Sequence, residues 1–130
     1  MPTQMTERKL SDPDVLEYLA TQKLGRLATV DRHGAPQNNA VGFWVNEELG
    51  TIDIGGMSLS TSRKFRNLTH NDRVAFVVDD LASVKPWRPR MVEIRGRGEQ
   101  ITDAPSPRPG MDSSLIRVHP ERVIAFGITD

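Results

Sequence analysis

Short strand-like segments separated by turn residues run along most of the sequence, and this pattern limits the possible folds more than any other feature. Leu24 to Val30 reads as a strand, and the hairpin-type turn Asp31-Arg32-His33-Gly34 leads into a second strand from about Ala35 to Val45. The two are expected to pair antiparallel. Asn46 to Gly50 makes another turn, and Thr51-Ile52-Asp53-Ile54 forms a third strand that stops at Gly55-Gly56. Arg73 to Asp79 is a near-continuous apolar run, and Met91 to Ile101 alternates, with Val92, Ile94, Gly96 and Gly98 on one face. A last strand runs from about Ser114 to Ile128, with His119-Pro120 as a point where it can break. About six strands with one inserted helix predict a mainly β chain closed, or half closed, into an antiparallel barrel.

Two short helices complete the pattern. Ser11-Asp12-Pro13-Asp14 places a Ser cap, a first-turn proline and an acid ahead of Val15, Leu16 and Leu19 at helical spacing, for a helix ending near Lys23. Ser60 to Asn71 changes to helical spacing at Phe65 and Leu68, with Ser60, Thr61 and Ser62 as candidate caps. Asp103 to Gly110 holds three prolines in eight residues and is expected to be irregular. The 130 residues suit a single domain, 1–130, whose first ten residues are expected to form a flexible start.

Composition narrows the function classes. No apolar stretch approaches the ~20 residues of a membrane span, and Met1 to Asp14 lacks the apolar core of a secretory signal, so the expected location is the cytoplasm and no membrane partner is expected. The absence of cysteine excludes disulfides, thiolate metal sites and cysteine nucleophiles. Seventeen basic and seventeen acidic residues cancel, which argues against a nucleic-acid binder working through a general positive field. Cations nevertheless cluster at Arg63, Lys64 and Arg66, and again at Lys85, Arg88, Arg90, Arg95 and Arg97, a distribution suited either to a small anionic ligand or to solvated strand and helix faces.

The sharpest local feature is Gly55-Gly56-Met57-Ser58-Leu59-Ser60-Thr61-Ser62-Arg63-Lys64, a strand end followed by hydroxyls and then two cations. Free N–H groups, hydroxyl donors and a bidentate Arg suit a phosphate, although the P-loop spacing is absent. The same residues also read as a capped surface helix. In Lys85-Pro86-Trp87-Arg88-Pro89-Arg90, two prolines stiffen a loop that presents Trp87 between cations, either to cover a planar ring or to plug a barrel mouth. Of Phe43 and Trp44, adjacent on the second strand, one must face the interior and the other the opposite side. His33, His70 and His119 have no metal-ligand spacing, no Gly-x-Ser-x-Gly elbow is present, and Asp79-Asp80 reads as a solvated turn. No catalytic side chain or metal site is assigned, so an enzyme of this sequence is expected to rely on a cofactor for its chemistry.

The order of these motifs resembles the pyridoxamine 5′-phosphate oxidase-like split β-barrel family, known for FMN-binding split barrels, and especially its deazaflavin (F420)-dependent branch. The resemblance runs from about Asp12 to Ile128 and is carried by Leu24-Gly-Arg-Leu-Ala-Thr-Val30, Asp31-Arg-His-Gly-Ala-Pro-Gln37, Thr61-Ser-Arg-Lys-Phe-Arg-Asn-Leu68, Asn71-Asp-Arg-Val-Ala75, Val92-Glu-Ile-Arg-Gly96 and Arg117-Val-His-Pro-Glu-Arg-Val123. It implies a homodimer with two cofactors at the subunit interface and a small-molecule substrate. In those terms Ser60, Thr61, Arg63 and Lys64 hold the cofactor phosphate, Asn39, Val41 and Phe43 lie near the ring, and Trp87 and Arg88 reach the site from the other subunit. The implied activity is hydride transfer with F420 as cofactor. FMN chemistry on the same fold, or a non-enzymatic flavin-, deazaflavin- or haem-binding module, are the alternatives.

Overall fold

The computed structural model describes residues 5–104 and 109–129, so part of the proline-rich stretch lies outside the described residues. Along the chain come β1 (Thr6–Arg8), α1 (Pro13–Ala20), β2 (Leu24–Val30), β3 (Pro36–Asn46), β4 (Thr51–Ile54), a 3-10 turn (Leu59–Thr61), α2 (Arg63–Asn67), β5 (Arg73–Ser83), β6 (Arg88–Ile101) and β7 (Leu115–Phe126). The expected mainly β architecture with two short helices is borne out. β7, β4, β3, β2, β5 and β6 pair in that order, and β6 pairs back onto β7, closing a six-stranded antiparallel barrel. β4 covers only residues 116–118 of β7, and β1 takes the stretch 123–125 on the same side. Part of the segment expected to be a flexible start is therefore a paired strand.

Alternation decides what fills the barrel. Leu27, Val41, Ile52, Ile54, Val74, Phe76, Val78, Val92, Ile94, Ile116 and Val118 are buried in one cluster. The Phe76 ring, fully buried, is accommodated because β2 carries Gly25 beside it; a Cβ there would lie 2.2 Å from the ring. Phe43 meets the same ring edge-on, centroids 5.2 Å apart. β7 does not break at His119-Pro120. It bulges: Arg95 pairs with Arg122 and Gly96 with Pro120, leaving Glu121 as the extra residue, so proline, which has no N–H to donate, sits where the ladder is already interrupted.

The helices close the two ends. Ser11 is not the cap of α1. Asp12 takes the N-cap position, and its carboxylate accepts from Lys9 N (3.0 Å) and Arg8 Nε (3.0 Å), tying the helix to β1. The helix stops at Ala20, earlier than Lys23, where the Thr21 hydroxyl and amide both donate to the Tyr18 carbonyl. Tyr18 is buried against the β5–β6 hairpin, donating its hydroxyl to Asp80 Oδ1 (3.0 Å) under a guanidinium, Arg90, that stacks 5.0 Å from its ring centre and bonds Asp80 through Nε (2.9 Å). Asp79 and Asp80 are thus not a solvated turn but residues within β5 that point to opposite sides: Asp79 pairs with Arg26 (3.2 Å).

The Arg90 bonds, more than those from Tyr18 and Gln22, hold the Asp80 carboxyl below its ordinary value. Its contribution is therefore complete at neutral pH and fades only as pH falls below the unfolded carboxylate range, about 4. Asp80→Ala is expected to destabilise the chain by about 1.5–3 kcal/mol in denaturant titrations at pH 7, and by less at pH 3. An equal loss at both pH values would show that the carboxylate charge is not involved.

At the opposite end, α2 lies over the mouth formed by β2, β3 and β6. Buried Asn67 donates to Thr29 Oγ1 (2.9 Å) and Gln37 Oε1 (3.1 Å), and Gln100 Nε2 donates to the Phe65 carbonyl (2.6 Å). Among the described residues no helix is long and apolar enough to cross a membrane.

Candidate functional site

The segment leaving β4 runs through Gly55 and Gly56 to the 3-10 turn and α2, anchored by the buried Leu59. Helical structure here is shorter than the expected 60–71 and begins at its true cap, Ser62, whose Oγ accepts from Phe65 N (3.3 Å) and donates to the Leu59 carbonyl (2.6 Å). Thr61 Oγ1 donates to the Ser58 carbonyl (3.0 Å). Ser60 is engaged from outside the segment: its N–H and Oγ–H both donate to Asp112 Oδ2, at 3.0 and 2.7 Å. The Ser60 hydroxyl, followed by the Ser60 and Ser114 amides, holds the Asp112 carboxyl down at about 2.

The cations behave differently from the hydroxyls. Arg63 and Arg66 are exposed and Lys64 half-buried, and none of their three side chains forms a hydrogen bond or a salt bridge with a described residue. Arg63 stands near the β2–β3 turn. There Asp31 is held below its usual carboxylate value mainly by the Ala35 and His33 amides, with smaller contributions from the His33 and Arg63 charges. Two neighbouring cations without a bonded carboxylate, at the end of a barrel, fit an anionic group from solution, and Arg63 can grip it bidentately.

The ring-side expectation meets the barrel's inside–outside alternation. Val41 is buried in the core and Phe43 packs on Phe76, so these two face the interior, and half-buried Asn39 shares their side of β3. The accessible side of the strand carries Pro36, Asn38, Ala40 and Gly42, all exposed, and a Cβ on Gly42 would meet nothing within 4 Å. Trp44, outward as alternation required of the pair, lies opposite Asp53 with its ring against Gly55. A flat surface of small residues therefore runs toward the loop that carries Arg63.

Trp87 and Arg88 are exposed at the tip of the β5–β6 hairpin, Trp87 at 66%, so Trp87 plugs no barrel mouth. β5 runs eleven residues from the α2 end to this tip, a span of ~35 Å, so one chain does not bring Trp87 and Arg88 to Arg63 and Lys64. Two polar features were not read from the sequence. One is Asp112, just beyond the irregular stretch 103–110. The other is Asp53, whose carboxylate is buried among Arg117 Nε (3.1 Å), Thr51 Oγ1 (2.9 Å) and Asn46 Nδ2 (3.1 Å) on the outer side of β4. A single carboxylate in a strand has no local signature for a partner 64 residues away.

Comparison with known proteins matches this architecture. The chain is 46% identical over 114 residues, 87% of its length and 80% of the relative's, to a 5a,11a-dehydrotetracycline/5a,11a-dehydrooxytetracycline reductase of Streptomyces rimosus. Its fold superposes on a structure described as an F420 reductase with a TM-score of 0.61 at 27% identity, covering 78% of this chain and 88% of the other. It also superposes on an FAD-binding protein of Mesorhizobium loti with a TM-score of 0.71 at 16% identity, covering 97% and 98%. The family described as pyridoxamine 5′-phosphate oxidase matches residues 11–126, from just before α1 to the last residue of β7, so every strand of the closed barrel falls within the match and the chain belongs to that family.

Proposed function

We propose that this protein is an oxidoreductase that uses reduced F420 to deliver hydride to a small organic substrate. The observation that carries this reading is the pair Arg63 and Lys64, whose side chains have no bonded partner among the described residues, beside an open strand face, in a chain 46% identical to a named reductase. The bound deazaflavin supplies the hydride; the protein supplies binding and orientation. Arg63 and Lys64 would hold the tail phosphate, with Ser60 and Thr61 shaping the loop. Asn38, Ala40 and Gly42 would offer the ring an accessible face, whereas Val41 and Phe43 are packed toward the interior. Given the relative's substrate, the acceptor is a carbon–carbon double bond in an extended, conjugated polycyclic ketone, which gains the hydride at one carbon and a proton at the other.

The active form on this reading is a homodimer, since a second copy brings the Trp87 and Arg88 hairpin to a site that its own chain cannot reach. Light scattering should give about twice the chain mass, and Trp87→Ala should weaken cofactor binding without changing the fold. A monodisperse monomer that still binds cofactor tightly would overturn the two-chain site.

Fluorescence titration tests the cofactor assignment. Arg63→Ala and Lys64→Ala are each expected to weaken F420 binding by about 1.5–3 kcal/mol, the range for hydrogen bonds to charged groups. F420 is expected to bind more tightly than FMN, and its affinity should fall as salt rises, because its glutamate tail adds anions that exposed Arg66, Lys85 and Arg88 attract. Unchanged affinity in the double variant returns the loop to a capped surface helix, and tighter FMN binding makes this an FMN enzyme of the same fold.

A further inference from the structure

We propose that Asp112 is a specificity-determining residue, selecting a singly charged phosphodiester over a doubly charged phosphomonoester at the Arg63–Lys64 loop. The inference rests on the reading of that loop as the cofactor's anion site. Asp112 Oδ2 accepts from the Ser60 N–H and Oγ–H, two donors that the loop would otherwise offer an anion, three residues before Arg63. The carboxylate is held firmly in that position. Its other oxygen accepts from Ser114 N (3.0 Å), the Asp112 amide donates to the Gly56 carbonyl (2.9 Å), and Met111 packs so closely on Gly55 that a Cβ there would lie 2.5 Å from its methyl carbon.

A fixed negative charge beside a binding site raises the energy of an incoming anion in proportion to that anion's charge. Arg63 and Lys64 attract either ligand, but Asp112 penalises a dianion twice as much as a monoanion. FMN carries a phosphomonoester, close to doubly charged at neutral pH. The phosphate of F420 is a diester with one charge. Asp31, whose carboxylate feels Arg63 from the β2–β3 turn, acts in the same direction. The loop is thus positive enough to hold one negative charge and tempered against two.

The test uses two probes with the same ring, FMN and riboflavin cyclic 4′,5′-phosphate, which differ in phosphate charge. With one charge neutralised near water, Asp112→Asn should tighten the cyclic diester by about three-fold and FMN by about the square of that factor, roughly ten-fold. Equal effects on the two probes, or none, while Arg63→Ala and Lys64→Ala weaken both, would overturn the role of Asp112 and leave the loop as the anion site. If the cation variants change neither probe, the reading of the loop itself has failed. Asp112→Ala, with melting temperatures for all variants, guards against simple loop damage: weaker binding of both probes by both Asp112 variants would make the residue a brace and not a selector.

Discussion

Gly96→Ala is expected to lower the melting temperature by roughly 10 °C or more, the equivalent of about 3 kcal/mol in a chain of this size. The cause lies in the bulge of β7. An alanine Cβ at Gly96 would stand 2.0 Å from the His119 carbonyl oxygen, 2.9 Å from its carbon and 3.2 Å from the Glu121 amide nitrogen, all of them backbone atoms. No rotamer change relieves such a contact; β6 or β7 must move, and these two strands make the pairing that closes the barrel. Gly98 is the natural control. It lies two residues on, on the same inward face, but the nearest atoms to its Cβ would be side-chain carbons of Leu68 and Val74 at 3.0–3.1 Å, which can give way. Thermal unfolding followed by circular dichroism should rank Gly96→Ala well below Gly98→Ala, and the reverse order would refute the assignment of the bulge as the constraint.

Arg117→Leu is expected to cost about 3 kcal/mol, more than Asp53→Asn, although the two changes break the same ion pair. The asymmetry follows from exposure. The Asp53 side chain is 2% exposed and that of Arg117 20%. Without Arg117 the carboxylate keeps only the Thr51 and Asn46 donors and stays out of water, whereas a guanidinium without Asp53 can turn outward. The double variant should regain part of the loss, because a buried charge without its partner is what costs most. Urea titrations of the two single variants and the double would give these numbers. If Asp53→Asn proved the more damaging, the carboxylate would have a role beyond pairing with Arg117. Trp44 lies opposite Asp53 and touches the loop leading to Arg63, so its fluorescence reports whether the damage spreads to the candidate site.

Much of the architecture was readable from residue order alone. β2, β3 and β4 were legible to within a residue or so, because period-two alternation and turn chemistry are local properties: Asp31 bonds the amides of His33 and Ala35, and Gly34 and Gly50 take up the positive φ that their turns need. The segment from Gly55 to Lys64 stood out for the same reason, since its glycines, hydroxyls and cations are consecutive. Local signals failed where a distant partner decides. Ser11 looks like a helix cap, but Asp12 is the residue held by Arg8 from β1. β5 and β6 extend past Asp79 and before Met91 because each lends the other hydrogen bonds that Pro89 and the polar tip do not advertise. Alternation along β3 separated two faces without saying which was inside; only closure of β6 onto β7 turned Val41 and Phe43 inward and left Asn38, Ala40 and Gly42 open. The contacts that tune the candidate site span 52 residues from Ser60 to Asp112 and 64 from Asp53 to Arg117, and a hydrogen bond at that separation exists only once the barrel has brought its ends together. The order of residues determined strands, turns and the family, each set by periods of a few residues, whereas closure of the chain decided which side chains meet and so which charges an incoming cofactor would feel.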